Sequence, residues 1–390
     1  MIGKSPKGGS PVAHDRPARA RSRTAPSLPA SVWRDPGFCA ALLGRSPAPR
    51  PDPLPRYLTG QRVLVTGAGG SIGSELCRQI ARAVPERLIL LDVCENGVFS
   101  LCQELSALPA PTAVEIASVR DRRALDRIFS THRPQIVFHA AAHKHVPLME
   151  RCPAEAVENN IFGTERLADA CLRHGAGRMI FVSTDKAVRP ASVMGATKRF
   201  CELRLQSLQG TGPTDFAAVR FGNVLGSQGS VGPVFLRQIE AGGPVTLTDR
   251  RMTRYFMTIP EAVGLLLKAG AMTGGPGVYL LDMGRPVPVL RLAERLIRLA
   301  GRLPYREIPI RETGVRPGEK LREQLHGGSG GLLSTSDPAV LLEPPLRLSP
   351  EQTGAALQLL EEAVRDGSPA RIRRALRQAV PDYHPALLRR

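Results

Sequence analysis

Between residues 62 and 220 two hydrophobic rhythms alternate along the chain. Short apolar runs, long enough for buried strands but not for helices, fall at 62–66, 87–91, 113–117, 135–139, 178–183 and 215–220. Between them lie stretches whose apolar residues recur every three or four positions, which puts them on one helical face: 74–82, 96–107, 122–131, 154–174 and 192–208. Strands alternating with helices at this spacing predict an α/β fold with a doubly wound parallel sheet of Rossmann type. Past residue 231 the rhythm loosens into short runs at 253–258 and 277–282 and helical stretches at 260–271 and 290–300. This region reads as a smaller C-terminal substrate lobe.

The flanks differ. Residues 1–58 are rich in Pro, Arg, Ser and Ala without a sustained period, the pattern of a disordered basic arm; only the apolar patch 37–44 has the means to dock. The expected organisation is that arm, a nucleotide-binding domain over 59–230, the lobe over 231–326, a Gly/Ser-rich linker over 327–348, and terminal helices over 349–390. Ser349-Pro350-Glu351-Gln352 supplies an N-cap, a first-turn proline and a capping-box glutamine for the first of these.

The first apolar run feeds Gly67-Ala-Gly-Gly70-Ser71-Ile72-Gly73 and then a helix. Strand, glycine loop and helix N-terminus in that order make a pyrophosphate site, because glycine admits the ligand to the backbone and unpaired N–H groups meet its charge. The next strand ends at Asp92, where an acid hydrogen-bonds a ribose hydroxyl. A carboxylate there would repel a 2′-phosphate and favours NAD over NADP.

A net charge of +18 raises the question of nucleic acid, but much of it sits in the tails. Residues 1–56 hold ten Lys/Arg against three Asp/Glu, and residues 365–390 seven against two. Aromatic content of 4% leaves little to stack on bases, so no nucleic-acid partner is expected; a small anionic substrate, or peripheral contact of the basic arm with anionic lipid, suits the charge better. Seven cysteines without a CxxC pair read as free thiols in a reducing cytoplasm rather than zinc ligands or disulfides. No apolar run nears the roughly 18 residues of a membrane span, and no signal-peptide pattern opens the chain.

The densest chemistry is Ser183-Thr184-Asp185-Lys186, where a buried strand runs out, followed by Met194 and Lys198 one helical turn apart. Strand ends of parallel sheets are where ligands bind, although an acid–amine pair in a turn is also what a solvated loop carries. The run His139-Ala140-Ala141-Ala142-His143-Lys144-His145 suggests a metal, yet it crosses from strand to loop without a matching carboxylate or cysteine spacing; a loop covering the cofactor, with Lys144 facing an anionic ligand, fits better. Asn223 lies in a polar, glycine-rich loop after the last run. Arg254, Arg316 and Lys320, taken by themselves, read as ordinary surface cations rather than ligand-binding ones.

TGAGGSIG at 66–73, HAAAHKHVPLME at 139–150, STDKAVRPASVMGATKR at 183–199, RFGNVLGSQGSV at 220–231, TRYFMTIPEA at 253–262 and RPGEKL at 316–321 together resemble the nucleotide-sugar 4,6-dehydratases of capsule and O-antigen synthesis, extended short-chain dehydrogenase/reductases. The resemblance covers residues 60–325; many members also carry transmembrane helices and a further N-terminal domain, so the catalytic portion alone is matched. It implies a homo-oligomeric lyase that uses bound NAD to convert UDP-N-acetylglucosamine to a 4-keto-6-deoxy sugar, with a 4-epimerase or a non-catalytic nucleotide-sugar-binding regulator as alternatives. By matched position, Gly67, Gly70, Ser71, Ile72, Gly73, Asp92, Ala140, Ala141 and Lys198 bind the cofactor. Thr184 bonds the C4 oxygen, Asp185 protonates the departing C6 oxygen, Lys186 takes the C5 proton, and Lys144, Asn223, Arg254 and Arg316 bind the substrate. Met194 stands where the wider superfamily has its catalytic tyrosine, which marks a subgroup expected to retain configuration at C5. Ser118 replaces an acid, and Arg189 an asparagine.

Overall fold

A computed structural model describes residues 28–46, 56–272, 275, 277–327, 331–346 and 348–385. Its first elements lie inside the expected arm: a 3-10 turn at Ala30–Arg34 and helix α1 (Pro36–Leu43), capped by Asp35, whose carboxylate accepts from Phe38 N at 2.5 Å. Trp33, Cys39, Leu42 and Leu43 are buried, so the expectation of disorder across 1–58 fails over this stretch. The apolar patch has a surface to cover, and a further 3-10 turn at Arg56–Leu58 ends the expected arm with Leu58 buried; residues 1–27 and 47–55 lie outside the described residues.

The alternation then proceeds as the rhythms predict. β1 (Arg62–Thr66), α2 (Ser71–Arg82), β2 (Arg87–Asp92), α3 (Glu95–Leu105), β3 (Thr112–Ile116), α4 (Arg122–His132) and β4 (Ile136–His139) follow in order. Helices α5 (Val146–Arg151) and α6 (Pro153–Ala156) come next, and a π-helical turn at Val157–Phe162 leads into α7 (Gly163–His174). β5 (Arg178–Val182), α8 (Val193–Leu208) and β6 (Asp215–Arg220) complete the regular part. The strands order as β3-β2-β1-β4-β5-β6, all parallel. The order reverses between β1 and β4, which opens a crevice at their carboxyl ends.

In the second half the chain leaves the expected lobe and linker bounds, because part of each joins the main sheet. β7 (Asn223–Leu225), α9 (Val231–Glu240), β8 (Val245–Leu247), β9 (Thr253–Arg254) and β10 (Phe256–Thr258) build short two-stranded pairings. α10 (Ile259–Ala271) and β11 (Val278–Leu281) then rejoin the main sheet, β11 parallel to β6. β12 (Val287–Pro288), α11 (Val289–Leu299) and β13 (Ile310–Glu312) return to the lobe. β14 (Leu333–Ser334) and β15 (Val340–Glu343) fall in the expected linker, where β15 pairs antiparallel with β11 and extends the sheet to nine strands. β15 covers the outer edge of β11, whose four residues are all buried, and β14 pairs only with β15.

α12 (Pro350–Asp366) begins with the expected capping box, and α13 (Pro369–Ala379) packs beside it. The pair seats Leu360, Ile372 and Leu376 fully buried in the cluster around α8, each worth about 1.5–3 kcal/mol.

Candidate active site

The glycine loop is shaped by what its residues lack. Gly67 sits at φ +70°, where a Cβ would lie 2.7 Å from Ala141 N; a Cβ on Gly73 would collide with the Gly67 carbonyl oxygen. Both glycines are therefore required for the loop to fold against the strand-end peptide at Ala140–Ala141. Gly70 caps α2 without a side-chain hydrogen bond, which leaves first-turn N–H groups for an anion. Asp92, at the end of β2, accepts from Gly69 N at 2.8 Å and Cys94 N at 2.9 Å, and each oxygen keeps a lone pair for a ribose hydroxyl. A dinucleotide's pyrophosphate and ribose fit this cradle.

The three histidines take separate roles. His139 is fully buried, bonded through Nδ1 to Thr66 Oγ1 (2.7 Å) and through Nε2 to Thr164 Oγ1 (2.9 Å); burial, helped by the charge of Lys198, pushes its pKa down to about 3. His143 Nε2 meets Glu155 at 3.1 Å, and His145 lines the cleft. The π-helical turn presents Asn160, whose Oδ1 accepts from His143 N (2.8 Å) while Nδ2 donates to His143 O (3.0 Å) and Thr197 Oγ1 (3.1 Å). Asn160 thus pins the loop after β4 to α8, the kind of place where π-turns recur.

A cleft of about 510 Å³ lies over the crevice, and Gly67, Gly70, Ser71, Ile72, Gly73, Ala140, Lys144, Thr184, Lys186, Met194, Lys198 and Asn223 all line it. The acid and the amine do not face it equally. Lys186 reaches the cleft, whereas Asp185 is fully buried one layer behind and is not among the lining residues. Asp185 Oδ1 accepts from Lys186 Nζ (2.9 Å) and Thr184 Oγ1 (2.9 Å), and Lys186 Nζ also donates to Asn223 Oδ1 (3.0 Å). Oδ2 is buried without a partner among the described residues. A Cβ on Gly222 would press on it at 3.0 Å, so this glycine too is fixed by the acid.

Met194 and Lys198 stand one turn apart on α8, which Ser192 caps by accepting from Gly195 N. Lys198 is buried with Nζ 4.0 Å from the centroid of Phe181; burial brings its pKa down to about 8 against the opposing pull of Cys201 and Glu202.

Two expected substrate cations do not line the cleft. The Arg254 guanidinium is spent on backbone, donating to Thr253 O (2.7 Å), Leu321 O (3.1 Å) and Lys320 O (2.7 Å). Arg316 is exposed and paired with Glu319 at 2.6 Å. Lys320, read as a surface cation, instead donates from Nζ to Val188 O (2.8 Å), the residue capping the turn that carries Asp185 and Lys186.

Sequence reasoning missed a charged network beneath the site. Glu202 accepts from Ser183 Oγ (2.6 Å), Arg199 (2.9 Å) and, at both oxygens, Arg220 (2.7 and 3.1 Å), while Arg220 also pairs with Glu343 of β15 at 2.8 Å. Arg220 and Glu202 are both buried. The signal was present: Arg220 closes an otherwise apolar run, and Glu202 falls one turn beyond Lys198 on α8.

A nucleotide cradle and a lysine-bearing cleft at the crevice of a Rossmann-type sheet define a dinucleotide-binding α/β protein. The sequence model of the family described as polysaccharide biosynthesis protein matches residues 63–340, and the chain belongs to that family. The probable polysaccharide biosynthesis protein EpsC of Bacillus subtilis is 51% identical over 288 residues, 73% of this chain and 48% of the relative; the chain thus spans about half the length of that relative. A UDP-N-acetylglucosamine 4,6-dehydratase (inverting) of Campylobacter jejuni is 32% identical over 269 residues, 67% of this chain and 76% of the relative. UDP-glucose 4-epimerases of Rickettsia match at 31–32%. Among solved structures, the dTDP-glucose 4,6-dehydratase DesIV of Streptomyces venezuelae with NAD bound superposes with a TM-score of 0.59 at 25% identity, covering 68% of this chain and 88% of that one. Among the described residues no helix is long and apolar enough to cross a membrane, and no group of three or more His, Cys, Asp or Glu could hold a metal ion.

Proposed function

We propose that the chain is an NAD-dependent lyase of glycan synthesis that removes water from UDP-N-acetylglucosamine to give UDP-2-acetamido-2,6-dideoxy-4-keto-hexose, with retention at C5. The observation that carries this reading is Lys186: an amine open to the cofactor cleft, held at 2.9 Å by a carboxylate sealed behind it. Simple nucleotide binding has no use for such a pair.

NAD, when bound, supplies the acceptor for oxidation at C4 and the donor that returns the hydride to C6. Gly67, Gly70, Ser71, Gly73 and Asp92 would hold it. The protein's own part is proton movement. Thr184 Oγ bonds the C4 oxygen, and the Lys198 ammonium lowers the pKa of the C4 hydroxyl by its charge so that water takes the proton, since Met194 cannot accept it. The C4 ketone acidifies the C5 proton, which Lys186 removes. Asp185, hydrogen-bonded to Lys186 and Thr184 rather than open to the cleft, acts as the buried half of a shared acid–base pair that returns a proton to the departing C6 oxygen. Lys144 and the Asn223 amide border the space left for the UDP-sugar.

Incubation with UDP-N-acetylglucosamine in heavy water, read by NMR, tests this. The expected product carries a 4-ketone and deuterium at C5, while C6 holds the protium that left C4, and its ring coupling constants report the C5 configuration. Lys186→Met should lower turnover by about 10²–10⁴-fold while the cofactor remains bound. Unchanged substrate from a cofactor-loaded chain would sink the proposal. The 4-epimerase reading, which the Rickettsia relatives favour, predicts UDP-N-acetylgalactosamine with no deuterium at C5.

A further inference from the structure

We infer that Trp33 is a positioning residue for the cofactor cleft: its indole props the loop at residues 226–230 against the glycine loop and so slows the escape of a bound dinucleotide. The inference rests on the dinucleotide reading above, but it concerns a residue far from the nucleotide motif in sequence. Trp33 is the chain's single tryptophan and is only 7% exposed. It occupies the space that two missing side chains leave at the loop's ends. A Cβ on Gly226 would collide with Trp33 Cβ, and one on Gly232 would lie 2.8 Å from the indole Cη2. Between those glycines, Ser227, Gln228, Gly229 and Ser230 line the cleft. Gln228 N donates to Ser71 Oγ at 3.0 Å, and Ser71 opens α2, whose N–H groups face the pyrophosphate. On the far side, Gly229 is seated against His145, where a Cβ would come within 2.6 Å of Cε1.

The loop has little rigidity of its own, since Gly226 and Gly229 both hold positive φ and glycine gives up the most freedom on ordering. Trp33, by contrast, is fixed from several directions. Phe38 meets it edge-on at 5.6 Å, Cys39 Sγ donates to its carbonyl at 3.3 Å, Arg34 reaches Glu104 of α3 at 3.4 Å, and Arg45 pairs with Glu261 of α10 at 2.8 Å. The segment is thus tied to both halves of the molecule, and it also walls a second hollow of about 300 Å³ that shares Gly70 and Ser71 with the main cleft.

The test is NADH binding to the full chain stripped of nucleotide, followed by NADH fluorescence and, in the unaltered chain, by quenching of Trp33 emission. Excess NAD⁺ then displaces NADH in a stopped-flow mixer. If Trp33→Ala leaves the loop closed in about one molecule in ten, the apparent Kd for NADH rises about tenfold. The rise is expected in the dissociation rate, with UDP affinity changed less than twofold and Trp33→Phe recovering most of the loss. A Trp33→Ala protein of unchanged melting temperature that releases NADH within twofold of the unaltered rate overturns the inference. Should Trp33→Ala not fold, Trp33→Leu, which keeps apolar contact but drops the ring seated on Gly232, carries the same expectation and the same refutation. Failure of the unaltered chain to take up NADH removes the cofactor reading itself, and is told apart because it shows before any substitution is made.

Discussion

Lys198 joins a charge to a place that resists charge. Burial brings its pKa down to about 8, so its ammonium is present below that pH and lost above it. If the cation is what acidifies the C4 hydroxyl, kcat/KM should fall as pH rises through about 8, by about tenfold per unit on the alkaline limb. Lys198→Arg, charged at every accessible pH, should extend the plateau upward even if its maximum is lower; a pH–rate profile reads both. The same scale shows what a matched motif leaves open. Arg254 and Arg316 belong to blocks placed by resemblance, yet one guanidinium is consumed by three backbone carbonyls and the other by Glu319. A sequence block fixes which residue is present but not which way it faces. Asp185 makes the point again, since the dipeptide was legible but its retreat behind Lys186 was not.

Elements were legible wherever one periodicity persisted. β1 and β6 fall on the bounds their apolar runs predict, and α12 starts at its capping box. α9 was missed because Gly232 and Pro233 interrupt its first turn, and α5 because Pro147 does the same. The π-helical turn left no mark on the pattern, since one extra residue in a helical turn barely shifts a hydrophobic stripe. Its product is Asn160, with three hydrogen bonds to the His143 loop and α8. Asn160→Ala takes the partner from part-buried backbone groups of that loop, which costs up to about 1–3 kcal/mol. A lowered urea midpoint with an unchanged m-value is the expected result, and an unchanged midpoint would show that the loop stands without the turn.

Across the whole molecule, long-range pairing is what the pattern could not carry. An apolar run announces burial but not its partner, so β14 and β15 passed for linker and the return of β11 to the main sheet was hidden. The buried cluster Glu202–Arg220–Glu343 joins α8, β6 and β15 beneath Ser183. Arg220→Met takes the shared cation from two buried carboxylates, leaving Glu202 with Arg199 and Ser183 and Glu343 with Gly327 N, and should cost up to about 3–5 kcal/mol, read as a fall in melting temperature. Replacing Arg220, Glu202 and Glu343 together by apolar residues of similar volume should recover most of it, because the charges themselves add little net stability.

That cluster also sets an order of events during synthesis. A ribosome delivers Arg220 and Glu202 more than a hundred residues before Glu343, and domains otherwise begin folding from their N-terminal end as they emerge. Until β15 leaves the exit tunnel, the guanidinium beneath the reacting groups lacks one of its two carboxylates and β11 lacks its outer neighbour. Stalled chains ending near residue 330 should therefore stay open to protease in the β6–β11 region. Chains carried on to residue 390, far enough to bring Glu343 out of the tunnel, should resist it.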